Sequence, residues 1–179
     1  MWVIGGSRST LKNDVWYSTD GVTWTQATSA AAWSARNKHS SIVYNNKMWV
    51  IGGRDWDEKN DVWYSTDGAN WTEATSSAAW TARQGHTSVV YDNKMWVKGG
   101  AGVFYYSMKD LWYSTDGVNW TSTSTVTCPA RQAHTSIVYN NKIWIISGSG
   151  SRGISKSDAW CSDSTGVKQV GGLYCYKKN

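Results

Sequence analysis

The chain has 179 residues and a formal net charge of +5, with fourteen Trp and ten Tyr but one Phe and one Pro. This length suits a single domain with a substantial core, and no apolar run approaches the roughly 18 residues that span a bilayer, which excludes an integral membrane protein. The Lys residues recur along the chain and do not form the one-sided basic patch that nucleic-acid binding needs.

The first predicted elements are strands that belong to hairpins. The segment "MWVIGG" opens the chain at Met1 as a strand that ends in two glycines. "NDVWYSTDGVTWTQAT" follows as a hairpin with its turn at Thr19-Asp20-Gly21, since Asp bonds to its local backbone and Gly tolerates positive φ. "HSSIVYNNKMWVIGG" predicts a second hairpin around Asn45-Asn46-Lys47. Helical periodicity is absent throughout the chain.

These elements recur along the chain. "MWVIGG" begins at Met1 and Met48, "MWVKGG" at Met95 and "IWIISG" at Ile143, in steps of 47, 47 and 48 residues. About two-thirds of the first two copies are identical, which indicates equivalent structural surroundings. Four antiparallel strands in each unit of about 40–50 residues predict one blade of a β-propeller. The chain is therefore predicted to be one all-β domain over residues 1–179, with repeats at approximately 1–47, 48–94, 95–142 and 143–179.

The recurring residues resemble the kelch repeat. The likeness lies in a strand that ends in a double glycine, then a variable loop, an aromatic pair and a later Trp. It covers nearly the whole chain, to about residue 162. The fourth copy departs from this pattern, with Ser147-Gly148 in place of the double glycine and Cys161 in place of Tyr. The resemblance implies a β-propeller of four four-stranded antiparallel blades, although kelch propellers usually have more.

Several residue types recur at fixed positions and are interpreted as structural. Large aromatic side chains are expected to fill the wedge between adjacent blades. The Arg and His before each inner strand are expected to bond to backbone carbonyls or to the Asp of a neighbouring blade. These positions are Trp16, Trp63, Trp112, Trp160, Trp24, Trp71, Trp120, Arg36, Arg83, Arg131, His39, His86 and His134.

The strand count leaves the closure of the ring open. The chain begins at the second strand of a blade, so that one fourth strand and one first strand remain to be found in its tail. Val167–Val170 is predicted to be the last fourth strand. Leu173–Tyr176 could then pair beside Met1–Gly6, which would make residues 1–27 and 173–177 a composite blade. The alternatives are a larger ring completed by a second chain, or a place within a longer protein.

Function is expected where the repeats disagree, which is in the loop after each double glycine. The four loops are residues 7–11, 54–58, 101–108 and 149–155, and they are expected to surround the mouth of the central channel. Aromatic and Arg side chains dominate the hot spots of protein interfaces. The candidate binding residues are Arg8, Arg54, Asp55, Trp56, Asp57, Phe104, Tyr105, Tyr106 and Arg152. The alternative is tolerated drift in surface loops.

The kelch resemblance implies a non-enzymatic binding or scaffold protein with a protein partner and no cofactor. A carbohydrate-binding propeller is the alternative, because Trp and Tyr can stack on sugar rings, and an exposed Trp56 would then matter most. A sugar-active enzyme is disfavoured, since Asp55, Asp57 and Glu58 share one loop tip, whereas glycoside hydrolysis needs two carboxylates on opposite sides of a cleft. A nucleophile–base pair is also missing from the sequence pattern.

Three cysteines allow at most one internal disulfide. A Cys161–Cys175 bridge suits an oxidising compartment, and three buried thiols, with Cys128 among them, are the other interpretation. No His or second Cys lies at zinc-finger spacing, so no metal site is predicted. No signal peptide is visible after Met1. The compartment is left open, with an extracellular or cell-surface location slightly favoured over the cytoplasm.

Overall fold

The structure is a computed structural model that describes residues 1–123, 128–163 and 166–172. These residues form four antiparallel sheets, here called blades 1 to 4, and two short 3-10 turns at Val103–Tyr105 and Ser151–Gly153. No α-helix occurs in the described ranges. The fold is therefore all-β, as the hairpin pattern predicts.

The strands follow one another in chain order within each blade. Blade 1 contains β1 (Trp2–Ser7), β2 (Leu11–Tyr17) and β3 (Thr25–Thr28). Blade 2 contains β4 (Ser40–Tyr44), β5 (Lys47–Arg54), β6 (Glu58–Ser65) and β7 (Thr72–Thr75). Blade 3 contains β8 (Thr87–Tyr91), β9 (Lys94–Lys98), β10 (Leu111–Ser114) and β11 (Thr121–Ser122). Blade 4 contains β12 (Thr135–Tyr139), β13 (Lys142–Ile146), β14 (Asp158–Asp163) and β15 (Gly166–Gly172), and the inner strands β4, β8 and β12 contact one another from blade to blade.

The hairpin at the start of each full blade has a two-residue turn. Asn45 and Asn46 have φ values of 48° and 56° and connect Tyr44 to its pairing partner Lys47. Two successive left-handed residues make a type I′ turn, whose twist matches that of the flanking strands, and Asn tolerates this conformation better than most residues. The turn therefore fixes the register of β4 against β5.

The outer hairpin of each blade is held by a Ser-Thr-Asp-Gly turn. In blade 2, Asp67 Oδ1 accepts hydrogen bonds from the amides of Ala69 and Asn70 at 2.8 Å each, and Ser65 Oγ accepts one from the Gly68 amide at 2.8 Å. These bonds satisfy the backbone amides of the turn without a regular ladder. The same contacts recur in blade 3, so this hairpin is a property of the repeat.

The double glycine lies where one blade meets the linker into the next. Gly99 has a φ of 57°, and a Cβ atom there would lie 2.6 Å from the carbonyl oxygen of Arg131. At Gly100 a Cβ atom would lie 2.8 Å from the Cβ of His86. Glycine is required because any side chain would collide with the adjacent linker.

Tryptophan side chains fill the wedges between blades. Trp80 is fully buried and meets Trp120 edge-on, with ring centroids 5.9 Å apart, in a cluster that includes Ile51 of blade 2 and Met95 of blade 3. Trp33 and Trp71 make the same contact between blades 1 and 2, at 5.8 Å. Edge-to-face packing of this kind adds to the stabilisation from area burial.

A buried arginine ties each linker to the following blade. The Arg83 guanidinium donates to Asp110 Oδ1 at 2.9 Å, to Asp110 Oδ2 at 2.7 Å and to the Gly99 carbonyl at 2.8 Å. Its own backbone amide donates to Lys59 of blade 2, so one residue bridges two blades. The equivalent pairs are Arg36 with Asp61 and Arg131 with Asp158. A bidentate, charge-assisted pair fixes both distance and orientation.

The four predicted blades are confirmed. The sheets of blades 2, 3 and 4 each begin one strand earlier than the sequence repeats at Met48, Met95 and Ile143, as expected for a chain that begins at a second strand. Blade 1 has three strands among the described residues, where four were predicted. The predicted strand Val167–Val170 lies within β15, which is longer. The other predicted strand, Leu173–Tyr176, lies outside the described residues, and its pairing beside Met1–Gly6 stays a prediction.

Candidate binding face

The variable loops are joined to one another by hydrogen bonds. Arg54, at the end of β5, donates from Nη1 to the Tyr105 hydroxyl at 2.9 Å and so links the second loop to the third. The Ser107 amide donates to Ser151 Oγ at 3.1 Å and links the third loop to the fourth. The four loops are called the loop face below.

A groove of about 770 Å³ lies between the first and second loops. It is lined by Ser9, Thr10, Leu11, Ser34, Ala35, Arg54, Asp55 and Trp56. Asn37 connects its two sides, because its backbone pairs with Arg54 in both directions and its Nδ2 donates to Ser7 Oγ at 3.0 Å. The groove has the size of a small-molecule or peptide site.

Three aromatic side chains of the loop face project into solvent. Trp56 is 87 % exposed and Phe104 is 85 % exposed, and Tyr106 is exposed as well. Phe104 has a φ of 60°, and Arg152, at the same position in the fourth loop, has a φ of 62°. Left-handed backbone is uncommon for bulky residues, and such strain is typical of functional sites.

Tyr105 differs from these three because two cations hold it. The Arg54 guanidinium lies 5.8 Å from the centre of its ring, and Lys38 Nζ lies 5.9 Å from it. Together with the hydrogen bond from Arg54, these cation–π contacts fix the third loop over the second. The sequence interpretation missed Lys38, which lies in a linker, because only the folded chain brings it to this ring.

Some charged side chains among the candidate binding residues form ion pairs, and others do not. Arg8 and Arg152 are exposed and have no ion-pair partner among the described residues. Asp55 accepts from Lys59 Nζ at 2.8 Å and from the Asp57 amide at 3.0 Å, which leaves little of its charge unsatisfied. Asp55 is the one carboxylate of the residues that line the groove, so no second carboxylate faces it there.

The recurring tryptophans do not reach the loop face. Trp16, Trp63, Trp112 and Trp160 each donate from Nε1 to the Asp two residues earlier, at 2.7–3.0 Å. Trp71 and Trp120 are buried between blades, whereas their counterpart in blade 1, Trp24, is partly exposed. Trp71 and Trp120 therefore lie where the sequence predicts wedge-filling residues, whereas Trp24 does not.

The recurring histidines lie inside the fold in the neutral form. His86 Nε2 lies 3.1 Å from the Ile51 carbonyl, and its Nδ1 is buried without a partner. Burial lowers the pKa of His86 and of His134 to about 3, and that of His39 to about 4. His134 Nε2 lies 2.8 Å from Thr87 Oγ1, a pairing that the sequence did not reveal, but both groups belong to the packed inner strands.

The boundary between blades 3 and 4 has a different composition. Lys98 stands where β5 has Ile51, and Cys128 stands where the preceding linker has Trp80. The Lys98 ammonium group is buried and donates to the Lys109 carbonyl. Burial lowers the pKa of Lys98 to about 8 and raises the pKa of Cys128. The signal for this change is the sequence "MWVKGG" in place of "MWVIGG", which the sequence interpretation did not use.

The remaining site predictions concern cysteines, metals and membranes. Cys161 is buried and its predicted partner Cys175 lies outside the described residues, so the bridge between them stays a prediction. Within residues 1–123, 128–163 and 166–172, no group of three His, Cys, Asp or Glu is placed to hold a metal ion. The same residues contain no helix with the length and apolar character to cross a membrane.

The comparison with protein families covers most of the chain. The family model described as the KLHDC2/KLHL20/DRC7 Kelch-repeats domain matches residues 1–168. No curated protein sequence matches the chain. The matched residues contain the double glycines, the Ser-Thr-Asp-Gly turns and the arginine bridges described above. The chain therefore belongs to the kelch-repeat family, a family of β-propeller domains that in general act as scaffolds for protein interactions.

Proposed function

We propose that the protein is a non-enzymatic scaffold that binds a protein partner on the loop face. The observation that carries this proposal is the set of three exposed aromatic side chains, Trp56, Phe104 and Tyr106, on loops that are bonded to one another. Arg and aromatic residues contribute most of the binding energy at protein interfaces. Because the loops are already fixed, binding costs less conformational entropy than ordering free loops would.

The groove supports the same proposal. Its lining includes Leu11 and Ala35, which favour an apolar side chain of the partner, together with Arg54 and Trp56. Arg8 and Arg152, elsewhere on the loop face, are exposed without an ion-pair partner among the described residues and can pair with acidic groups. The loop face therefore suits a partner that has an apolar anchor and acidic residues.

A carbohydrate-binding function is the second candidate. It is favoured by the exposure of Trp56 beside the hydroxyls of Ser9 and Thr10 and the carboxylate of Asp55. An indole ring stacks on a sugar face while such polar groups accept or donate hydrogen bonds to its hydroxyls. The same residues would serve both functions, so only the identity of the ligand separates them.

Two assays test these functions: cross-linking detects bound protein partners, and a glycan array detects bound carbohydrates. Trp56→Ala and Phe104→Ala are each expected to weaken capture of the protein partner by about 30-fold, the effect of losing a hot spot of about 2 kcal/mol. The matched control is Val118→Ala, a half-exposed apolar residue on the outer turn of blade 3.

If Trp56→Ala and Phe104→Ala bind the protein partner as well as the Val118→Ala control does, the loop face is not the binding site. Strong glycan signals that disappear with Trp56→Ala, without any specific protein partner, would support the carbohydrate-binding function instead.

A further inference from the structure

Two of the eleven asparagines in the chain stand in the tripeptide Asn-X-Thr, in which X is not proline. The two tripeptides are Asn-Trp-Thr at residues 70–72 and Asn-Trp-Thr again at residues 119–121, and they are called the acceptor tripeptides below. This sequence is an acceptor for N-linked glycosylation, a modification of surface positions. Both tripeptides follow the Ser-Thr-Asp-Gly turn of an outer hairpin, at equivalent positions of blades 2 and 3.

The fold exposes the two reactive side chains of each tripeptide and buries the side chain between them. In blade 2, Asn70 and Thr72 are exposed, whereas Trp71 is only 8 % exposed and lies in the wedge against blade 1. The Trp71 indole donates from Nε1 to the Gly68 carbonyl at 3.0 Å, which ties it to the turn. Residues 119–121 repeat this arrangement in blade 3. The acceptor amide and the hydroxyl that the reaction needs are therefore both accessible from solvent.

Hydrogen bonds orient the acceptor amides and leave part of each one free. Asp67 Oδ2 accepts a hydrogen bond from Asn70 Nδ2 at 2.8 Å, and Asp116 Oδ2 accepts one from Asn119 Nδ2 at 2.8 Å. An asparagine side-chain nitrogen carries two hydrogens. No second partner of either nitrogen occurs among the described residues. Because N-glycosylation replaces only one of the two hydrogens, the bond to the aspartate can persist in the glycosylated protein.

The turn itself does not require asparagine at this position. Thr23 is the equivalent residue of blade 1, and its backbone amide donates to Asp20 Oδ1 at 2.8 Å. The Asn70 amide donates to Asp67 Oδ1 at the same distance. The Ser-Thr-Asp-Gly turn thus forms with either side chain. What asparagine adds is the carboxamide nitrogen, which is the group that glycosylation modifies.

We propose that Asn70 and Asn119 are N-glycosylation sites. In the reaction, Nδ2 forms a bond to the anomeric carbon of a sugar, and the bond from that carbon to the diphosphate of an activated donor breaks. One Nδ2 proton leaves to a base of the transferase. The donor is a sugar carried as a diphosphate ester, and the transferase is one that recognises Asn-X-Thr. Exposed neighbours on both sides of each amide leave room for the sugar.

The site in blade 2 lies far from the loop face. Strand β6 begins at Glu58, in the second loop, and ends at Ser65, where the turn that carries Asn70 begins. Its length is about 23 Å, since a strand rises about 3.3 Å per residue. A glycan on Asn70 therefore leaves the loop face open. The proposal goes beyond the binding function and does not depend on it.

Mass spectrometry of the full chain, isolated from the cells that produce it, tests the proposal directly. An amidase that removes N-glycans converts each glycosylated asparagine to aspartate, and this change marks the site. Conversion of Asn70 and Asn119 is expected, with the other asparagines unchanged. Finding Asn70 and Asn119 unmodified in this protein would overturn the proposal.

Variants separate the acceptor tripeptide from the asparagine alone. The full chain, translated behind a cleavable secretion leader in the presence of microsomes, is expected to gain two glycans, seen as two mobility steps that an endoglycosidase reverses. Thr72→Val and Thr121→Val are each expected to lose one step, because they remove the hydroxyl and keep the asparagine. The matched control is Thr25→Val, at the equivalent exposed threonine of blade 1, which is expected to keep both steps.

Blade 1 also offers a variant that gains a site. Thr23→Asn is expected to add a third step, because it places asparagine two residues before Thr25 in an equivalent exposed turn. Adding Thr25→Val to this variant is expected to remove the third step again. If the double variant Thr72→Val and Thr121→Val keeps both steps, the acceptor tripeptides are not the sites. None of these experiments changes Trp56 or Phe104, so failure here leaves the proposed function untouched.

Discussion

Equivalent side chains differ in solvent exposure between the outer and the inner blades. Blades 1 and 4 are the first and last in the chain, and blades 2 and 3 lie between them. Val50 of blade 2 is fully buried, whereas Val3 of blade 1 is 49 % exposed. Tyr44 is 5 % exposed and its counterpart in blade 4, Tyr139, is 67 % exposed. The strands themselves are alike, so the difference lies in whether a neighbouring blade covers the face. In a repeat protein the stability therefore divides into terms for each blade and terms for each boundary.

The largest expected difference concerns the tryptophan that follows each Ser-Thr-Asp-Gly turn. Trp71→Ala is expected to lower the free energy of unfolding by about 3–5 kcal/mol, because it empties a wedge that Trp33 and Val15 share. Trp24→Ala removes the equivalent side chain from an exposed face, and about 1–2 kcal/mol is expected. Urea denaturation of both variants checks the contrast. Equal losses would show that the two faces are covered alike.

A smaller difference in stability is expected between two equivalent aspartates, Asp14 of blade 1 and Asp61 of blade 2. Asp61 accepts two hydrogen bonds from the buried Arg36, whereas Asp14 accepts only from Trp16 among the described residues. Asp61→Asn is expected to cost about 2–3 kcal/mol, because it weakens a bond to a charged group and leaves Arg36 without its counter-charge. Asp14→Asn keeps an acceptor for the indole and is expected to cost less than about 0.5 kcal/mol. An Asp14 effect as large as that of Asp61 would reveal an arginine partner for Asp14.

The pH dependence of the folding stability tests whether His86 is shielded from water. The native pKa of His86, about 3, lies below the ordinary 6.5, so between these values the unfolded chain binds more protons. Stability is therefore complete above pH 6.5 and falls on acidification, by about 1.4 kcal/mol per pH unit for this one group. His86→Gln is expected to reduce that slope, as measured by urea denaturation at several pH values. An unchanged slope would mean that water reaches the imidazole.

The smallest contrast is expected for single hydroxyl groups. Tyr44→Phe removes a hydrogen bond of 2.9 Å to the Asn93 carbonyl across the boundary of blades 2 and 3. A loss of about 0.5–1.5 kcal/mol is expected. Tyr139→Phe changes an exposed residue of blade 4 and is expected to have no measurable effect. A cost at Tyr139 comparable to that at Tyr44 would indicate that another chain covers blade 4.

Much of the fold follows from the sequence because it is local and repeated. The Asn45-Asn46 turn, the Ser-Thr-Asp-Gly turn and the double glycines each impose a backbone conformation that few other residues tolerate. Their recurrence predicts the number of strands and blades. The arginine bridges were foreseen as contacts to carbonyls or to an aspartate of a neighbouring blade, and the repeat spacing suffices for that prediction.

The location of the binding site on the loop face stays a prediction, and the contacts within that face could not be predicted from the sequence. The sequence points to these loops only through their variation among the repeats, since no structural requirement keeps them alike. The clamp of Arg54 and Lys38 on Tyr105 joins residues from three different segments, and no repeat pattern encodes it.

The boundary between blades 3 and 4 has a consequence for how the molecule opens. Its wedge contains Lys98 and Cys128 where the other boundaries have isoleucine and tryptophan. Burying the Lys98 ammonium group costs free energy, and Cys128 fills less of the wedge than a tryptophan does. We therefore expect this boundary to be the weakest of the three. We expect blade 4 to separate first in a local opening, before blades 1 to 3 lose their contacts. The array would then fray from its C-terminal side, while the loop-face groove near its other end keeps its shape.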